Sequence, residues 1–159
     1  MWPDRRLLDL LGIEVPIIQA PMAGSNDAAL AIAVSEAGGL GSLPCATISV
    51  EQMTAQLALI RQQTARPINV NFFCHTPPVP DAQREAAWRE TLAPHYTGLG
   101  LDPNGTYPGA GRAPFNDEYC DALEAFKPTV VSFHFGLPEE RLLRRVKAWV
   151  RRFCRLRPP

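Results

Sequence analysis

The sequence lacks any hydrophobic run long enough to cross a membrane. Its 159 residues contain no window that approaches the roughly 18 consecutive apolar residues of a transmembrane helix. The opening stretch, MWPDRRLLDLLG, carries charges but no apolar segment ahead of a small-residue cleavage site, so we expect no signal peptide. With 46% hydrophobic and 20% charged residues, the composition is typical of a globular protein, and we predict a cytoplasmic one without a membrane partner.

Closely spaced cysteines are also absent. The four cysteines stand far apart and form no C-x-x-C pair: Cys45, Cys74, Cys120 and Cys154. A disulfide framework or a zinc site is recognised by cysteines at characteristic spacings. The sequence therefore predicts neither disulfides nor a metal site, which agrees with the predicted cytoplasmic location.

Acidic residues are missing from the last part of the chain. Up to Glu140 there are 16 acidic and 8 basic residues, whereas from Arg141 onward there are 8 basic residues and no acidic one. Such asymmetry often marks a tail that binds nucleic acid or a membrane. The motifs described below lead to a different interpretation of the basic end, under which we expect no nucleic-acid partner.

Four short apolar runs are present, at residues 16–20, 39–43, 67–73 and 129–135. None shows a clean alternation of apolar and polar residues, which indicates strands that are buried on both faces of a parallel sheet. Helical patterns lie between these runs. Repeated βα units of this kind predict an α/β fold, either an open doubly wound sheet or a barrel.

Most of the predicted helices begin at a residue suited to cap a helix. The candidate caps are Asn26, Ser49 (with Gln52 as a capping box), Asp81 and Asn116. The acidic pair Glu139 and Glu140 suits the first turn of a further helix, because carboxylates are favourable at the positive end of the helix dipole.

One long irregular segment, residues 97–115, contains five glycines and three prolines. Its GAG sequence matches a dinucleotide-binding loop only weakly, because no strand precedes it and no helix opens on its last glycine. We interpret the segment as a surface excursion or a lid and not as a phosphate loop.

The predicted strands end in residues that merit inspection, because ligands bind at the carboxyl ends of parallel strands. The first of these ends, QAPMAG, offers little side chain: Pro21 has no N–H, and Ala23 and Gly24 add almost no bulk. Such bare backbone suits a flat aromatic ring system. A tight turn between strand and helix would explain the same residues.

Four motifs then occur in order: PIIQAPMAGS, GGLGSLP, INVNFF and VVSFHFGLP. Together they resemble the nitronate monooxygenases, formerly called 2-nitropropane dioxygenases, over residues 1–148. The resemblance implies the amino-terminal half, four βα units, of a TIM (β/α)8 barrel. It also implies an FMN cofactor and the oxidation of an alkyl nitronate by O2 to a carbonyl compound and nitrite.

The resemblance also implies functional residues. The family holds FMN with backbone at the end of the first strand, here Pro21, Met22 and Ala23, and with an Asn that Asn71 matches. An Asn can both donate to and accept from the edge of a flavin ring, although Asn71 could instead cap a turn. His134 lies where a catalytic side chain would project, to orient the nitronate or supply a proton. A core histidine with a backbone partner is the alternative.

The chain also departs from the family. A TIM barrel has eight βα units, and only four are predicted here. The Gly-rich segment with the family's catalytic base histidine is not found, nor are the loops after strands seven and eight that commonly hold the FMN phosphate. We therefore expect a C-terminally truncated chain whose exposed sheet edges favour self-association.

The basic tail suggests a cause for the truncation. Trp149 has the single codon TGG, so reading one nucleotide back makes the next codon GGT, for glycine. The following codons then give two small residues, an apolar one and leucine, which suits a helix-ending glycine and a fifth strand. We predict a frameshift after Trp149, with residues 1–149 a partial FMN-dependent TIM-barrel domain and residues 150–159 an aberrant basic tail.

Three other functions stay open. The chain could be an inactive barrel fragment, or part of a related flavin-dependent quinone or enoyl reductase. The third alternative takes the tail at face value, as a cationic helix RLLRRVKAWVRRFCRLR that binds anionic lipid or nucleic acid.

Overall fold

The computed structural model describes residues 2–105 and 112–150, and the backbone of residues 152–155. The elements are, in chain order, α1 (Arg6–Leu11), α2 (Ala28–Glu36), β1 (Gly41–Pro44), α3 (Val50–Gln63), β2 (Ile68–Phe73), α4 (Ala82–Gly98), α5 (Asp117–Phe126), β3 (Val130–His134), α6 (Glu140–Trp149) and β4 (Arg152–Arg155). They fall into two compact units, one of Met1–His75 with Gly111–Pro159 and one of Thr76–Ala110.

The first unit is built around a four-stranded sheet in the order β1-β2-β3-β4, in which all neighbouring strands run parallel. Gly41 at the start of β1 lies opposite Ile68, and Phe73 at the end of β2 lies opposite His134. The carboxyl ends of the strands therefore meet at one edge of the sheet, called here the carboxyl edge. This α/β arrangement is consistent with part of a TIM barrel.

The first predicted strand is largely absent. Within residues 16–20 only Ile18 forms an isolated parallel bridge, with Leu40. Pro16 and Pro21 bound this run and have no N–H to give to a ladder, which limits backbone pairing to a few residues. A fourth strand does form, but it is β4, in the segment predicted to be an aberrant tail. The four predicted βα units are therefore not confirmed.

Most predicted helix starts are confirmed. Ser49 and Gln52 form the capping box of α3, and the side chains of Asp81 and Asn116 accept backbone N–H groups at the starts of α4 and α5. The helix that follows β3 begins at the predicted acidic pair, with Glu139 in the N-cap position.

The predicted cap of α2 is wrong by one residue. Asp27 caps this helix, and its Oδ1 accepts the N–H of Ala29 at 3.0 Å. Asn26 precedes the cap, and its amide bonds to backbone outside the helix. The short helix α1 was not predicted, because its six residues have no side-chain cap to announce them.

One face of the sheet is apolar and carries helices. Alternate residues of the strands form it, and each is at most 2% exposed: Leu43, Val70, Phe72, Val131 and Phe133. They share one core cluster with buried residues of α3, α5 and α6, among them Met53, Leu57, Leu123, Leu142 and Val146. Burial of this much hydrocarbon is the main source of stability in the first unit.

The opposite face of the sheet is polar over its middle. Strand side chains alternate between faces, so this polar face carries Ser42, Asn69, Asn71 and Ser132, each at most 4% exposed. Toward the amino ends of the strands the interior becomes apolar, where five side chains cluster: Leu8, Leu11, Ile13, Leu40 and Val130. The prediction of burial on both faces is confirmed, whereas the prediction that no strand alternates is wrong for β2 and β3.

The second unit consists mainly of α4, which has no buried residue along its described length. Trp88 is 61% exposed, and Val79 ahead of the helix is 88% exposed. The helix continues through Pro94 to Gly98, so the irregular segment begins later than predicted. The GAG sequence of that segment lies outside the described residues.

The cationic helix of the third alternative does not form as required, because α6 ends at Trp149 and Arg152–Arg155 is a strand. Arginines of α6 are paired with carboxylates of α5: Arg141 with Asp117, and Arg145 with Asp121 and Glu124. The basic and acidic segments thus partly neutralise each other. Among the described residues, no helix is long and apolar enough to cross a membrane.

Candidate functional site

The bare backbone after the first predicted strand forms a tight turn beside β1. This open-backbone segment, residues 20–25, folds back on itself, because the carbonyl of Met22 accepts the N–H groups of Ser25 and Asn26 at 3.0 and 3.1 Å. The N–H of Met22 donates to Oδ1 of Asn26 at 2.8 Å. The backbone N–H and carbonyl of Met22 are therefore both satisfied by the turn and by Asn26.

The next two backbone N–H groups of the segment, unlike that of Met22, have no hydrogen-bond acceptor within the described structure. Neither Ala23 nor Gly24 donates its N–H to another of the described residues. Gly24 has φ 80°, a left-handed conformation that strains any residue with a side chain, and a Cβ built on it would meet no atom within 4 Å. Two adjacent N–H groups are thus available to a ligand beside open space.

The side chain of Gln19 bonds to β1 at the point where backbone pairing between residues 16–20 and β1 ends. Its Oε1 accepts the N–H of Ser42 at 3.1 Å and its Nε2 donates to the carbonyl of Ser42 at 3.3 Å. A side-chain amide here reproduces both hydrogen bonds of a neighbouring strand. Gln19 is nearly buried, at 9% exposure, so these bonds are shielded from water.

Asn71 lies on the polar face near the carboxyl edge, opposite Pro44, the last residue of β1, on one side and Ser132 on the other. Its Nδ2 donates to the Oγ of Ser132 at 2.8 Å and to the Ser132 carbonyl at 3.3 Å. These bonds fix the plane of the amide. With Nδ2 engaged, Oδ1 is the atom of Asn71 left to accept a hydrogen bond from a ligand.

Asn69 occupies the same face one step closer to the amino ends of the strands. Its Nδ2 donates to the Oγ of Ser42 at 3.1 Å, and its Oδ1 is buried without a hydrogen-bond partner among the described residues. Buried acceptors are usually satisfied. The interior therefore still has hydrogen-bonding capacity beneath Asn71.

His134 ends β3 within a group of aromatic rings. Its ring centroid lies 5.8 Å from Phe73 and 4.0 Å from Phe135, and Phe135 lies 4.9 Å from Phe73. The Nδ1 of His134 is buried with no partner among the described residues, so the backbone-bonded core histidine considered above is not what the geometry supplies. Phe135 has φ 64°, a strained left-handed turn that redirects the chain after His134.

The thiols near the carboxyl edge are not activated. Burial raises the pKa of Cys74 to about 12 and raises the pKa of the fully buried Cys45 further. A reactive cysteine has a depressed pKa instead. Both side chains therefore serve as packing.

The predicted site residues meet at the carboxyl edge in two groups. Pro21, Met22 and Ala23 belong to the open-backbone segment, which Asn26 joins to β1. Asn71 and His134 lie on neighbouring strands and on the same face, since Phe73 pairs with His134 two residues beyond Asn71. Free backbone donors, an oriented amide and an unpaired imidazole nitrogen fit a planar ring with hydrogen-bonding edges.

A phosphate group fits this edge less well. The four strand-end stretches, residues 19–24, 42–45, 71–75 and 134–138, contain neither lysine nor arginine. Phosphate is normally held by such cations or by helix N-termini. These four stretches therefore suit the ring of a flavin and contain no cationic side chain for its phosphate.

Sequence reasoning did not single out Asn69 or Ser132, assigned Asn26 to a helix cap, and placed Gln19 and Ser42 at strand ends without predicting their hydrogen bonds. The signal was present in INVNFF and VVSFH, where polar residues alternate with apolar ones. Asn and Ser inside such runs indicate a polar interior face. Gln19 and Asn26 carry no comparable signal, because their partner is a distant backbone group.

The chain matches a protein-family model described as nitronate monooxygenase, over residues 4–151. It is similar to a nitronate monooxygenase of Paraburkholderia phytofirmans, with 43% identity over 90% of this chain and 39% of that protein. A Pseudomonas aeruginosa nitronate monooxygenase is 40% identical over 90% of this chain and 41% of its own length. The chain thus spans about two fifths of these relatives.

A solved structure shows the same similarity. The nitroalkane oxidase from Streptomyces ansochromogenes superposes with a TM-score of 0.75 at 32% identity, over 94% of this chain and 41% of the other. The sequence motifs and the backbone arrangement therefore point to the same group of proteins.

Proposed function

The chain belongs to the nitronate monooxygenase family, and from that premise we propose that it is part of an FMN-dependent enzyme. The proposed reaction is the oxidation of an alkyl nitronate by O2 to a carbonyl compound and nitrite. The family consists of enzymes, and this chain supplies residues for cofactor binding and for substrate positioning.

One observation carries the proposal. The free N–H groups of Ala23 and Gly24, the fixed amide of Asn71 and the unpaired Nδ1 of His134 all belong to the carboxyl edge of one parallel sheet. This is the edge at which α/β proteins bind their ligands. A buried imidazole nitrogen normally has a hydrogen-bond partner, so Nδ1 of His134 calls for one from outside the described residues.

In this proposal the residues divide into two roles. The backbone of Pro21, Met22 and Ala23 lies against the flavin, and Asn71 accepts a hydrogen bond at its edge. His134, whose imidazole is half-buried among aromatic rings, orients the nitronate anion or supplies a proton. FMN, when bound, supplies the redox chemistry with O2, while the protein supplies position and electrostatics.

A family likeness does not by itself separate three outcomes. A related flavin-dependent quinone or enoyl reductase would use the same edge, and an inactive fragment would keep the fold without turnover. Self-association through the sheet edges and a cytoplasmic location also stay predictions. The predicted frameshift after Trp149 is to be tested by sequencing the gene and its transcript.

Turnover distinguishes the three outcomes. The purified chain, loaded with FMN, is expected to release nitrite and consume O2 with an alkyl nitronate. His134→Gln should lower that rate by about a hundredfold, the usual size of a lost proton-transfer group. His75→Gln is the matched control, because His75 also lies beside the Phe73 ring, at 6.4 Å, yet is given no role.

Two results would overturn the proposal. Oxidation of a nicotinamide with a quinone or enoyl substrate, without nitrite, would favour the reductases. Absence of any flavin-dependent turnover in a folded chain would favour the inactive fragment.

A further inference from the structure

One side chain joins the open-backbone segment to the sheet. Asn26 donates from Nδ2 to the carbonyl of Ser42 at 3.0 Å and accepts the N–H of Met22 at its Oδ1 at 2.8 Å. Building on the proposed flavin site, we propose that Asn26 is a positioning residue. It holds the segment so that the N–H groups of Ala23 and Gly24 face the flavin ring.

The hydrogen bonds of the segment support this assignment. The carbonyl of Met22 already accepts two backbone N–H groups, and Asn26 accepts the N–H of the same residue. Donation to a ligand is thereby shifted one residue along the chain, to Ala23 and Gly24. Without Asn26 the Met22 N–H would be unpaired and the turn would lose one of its closing bonds.

The anchor on β1 is rigid. Ser42 is fully buried, and its carbonyl also accepts Nε2 of Gln19 at 3.3 Å. Gln19 thus fixes the entry to the segment and Asn26 its exit, and both side chains converge on one carbonyl oxygen. The segment is expected to keep a fixed position relative to the strand ends.

An amide suits the position. Asn26 donates to a carbonyl and accepts an N–H at the same time, which an ionised carboxylate, an acceptor only, cannot do. Asp27, the neighbouring carboxylate, caps α2 instead. The function of Asn26 is therefore separate from capping the helix.

The test compares Asn26→Ala with Asn116→Ala by amide hydrogen exchange and by FMN titration. Asn116 is a matched control, since its Oδ1 also accepts one backbone N–H, that of Tyr119 at 3.1 Å, but at α5. In Asn26→Ala the Met22 amide should exchange about tenfold faster and FMN should bind about tenfold more weakly. Asn116→Ala should leave both unchanged, even if it lowers the melting temperature as much.

The exchange measurement needs no bound flavin, so it separates this inference from the proposed function. A Met22 amide that is unprotected in the parent chain, or that stays protected in Asn26→Ala, would overturn the inference. If the parent chain binds no FMN, the cofactor proposal fails and the flavin-facing role of Asn26 fails with it. If the parent chain binds FMN and Asn26→Ala binds it equally well, only the positioning role is wrong.

Discussion

The two faces of the sheet are equally buried but built differently. The apolar face packs aliphatic and aromatic side chains against α2, α3, α5 and α6. The polar face uses cross-strand hydrogen bonds, Asn69 to Ser42 and Asn71 to Ser132. Burying amides and hydroxyls contributes less to stability than burying hydrocarbon, because their bonds to water must first be given up. Such groups are best explained by a ligand that needs them.

The polar face also changes along the strands. Apolar residues fill it at the amino ends, the amides of Asn69 and Asn71 follow, and His134 and free backbone donors lie at the carboxyl edge. Atoms without a hydrogen-bond partner among the described residues, Oδ1 of Asn69 and Nδ1 of His134, both lie on this face. The apolar face therefore supplies most of the stability, and the polar face is where we propose that the ligand binds.

The largest effect is expected on the apolar face. Phe133 is fully buried, with its ring 5.1 Å from that of Phe115, so Phe133→Ala should lower the free energy of unfolding by about 3–5 kcal/mol. Phe135→Ala is the control, because Phe135 is 53% exposed and should cost about 1 kcal/mol. Urea denaturation measures both. Similar losses for the two variants would contradict the assignment of Phe133 to the core.

A smaller loss, coupled to binding, is expected on the polar face. Asn71→Ala and Ser132→Ala should each cost about 1–3 kcal/mol, because each leaves a buried partner unsatisfied. The double variant should cost about 1 kcal/mol less than the sum of the two. Each variant should also weaken flavin binding. If Asn71 contacts the ring, this loss of affinity should be larger than the loss in Phe135→Ala. Strict additivity in denaturation would show that the 2.8 Å bond carries no coupling.

The smallest effect is expected outside both faces, at the α5–α6 ion pairs. The Arg141 guanidinium bonds Asp117 and holds the pKa of this carboxyl below its ordinary value of 3.8. The ionised form therefore stabilises the folded chain above about pH 4, and this contribution is lost as the pH falls through the lowered pKa. Asp117→Asn should reduce the melting temperature slightly near neutral pH. The difference in melting temperature between the parent chain and this variant should disappear in acid.

Glu118→Gln is the control for that measurement. It removes a carboxylate from the same first turn of α5, but Glu118 forms no ion pair with the described residues. A difference of equal size and pH dependence for both variants would assign the effect to the helix dipole and not to the ion pair.

Elements with strong local signals were predicted correctly from the sequence. Predictions were wrong where a hydrogen bond to a backbone group far along the chain determines the structure. The capping box of α3 and the position of His134 at a strand end follow from local residue order. The first strand was wrong because prolines limit its pairing and the Gln19 side chain substitutes for it. Asn26 was misassigned as a helix cap because its real partner, Ser42, lies 16 residues away. The family motif predicts a role for Asn71, whereas nothing in the sequence analysis predicted its hydrogen bond to Ser132.

We propose above that the carboxyl edge of the polar face binds a flavin ring. Titration of the 159-residue chain with FMN and, separately, with riboflavin tests it most directly, with flavin fluorescence as the readout. Because the strand ends carry neither lysine nor arginine, we predict saturable binding of both flavins with affinities within about threefold, and about tenfold weaker binding of both in Asn71→Ala. No binding of either flavin to the folded chain, or binding unchanged in Asn71→Ala, would contradict the account.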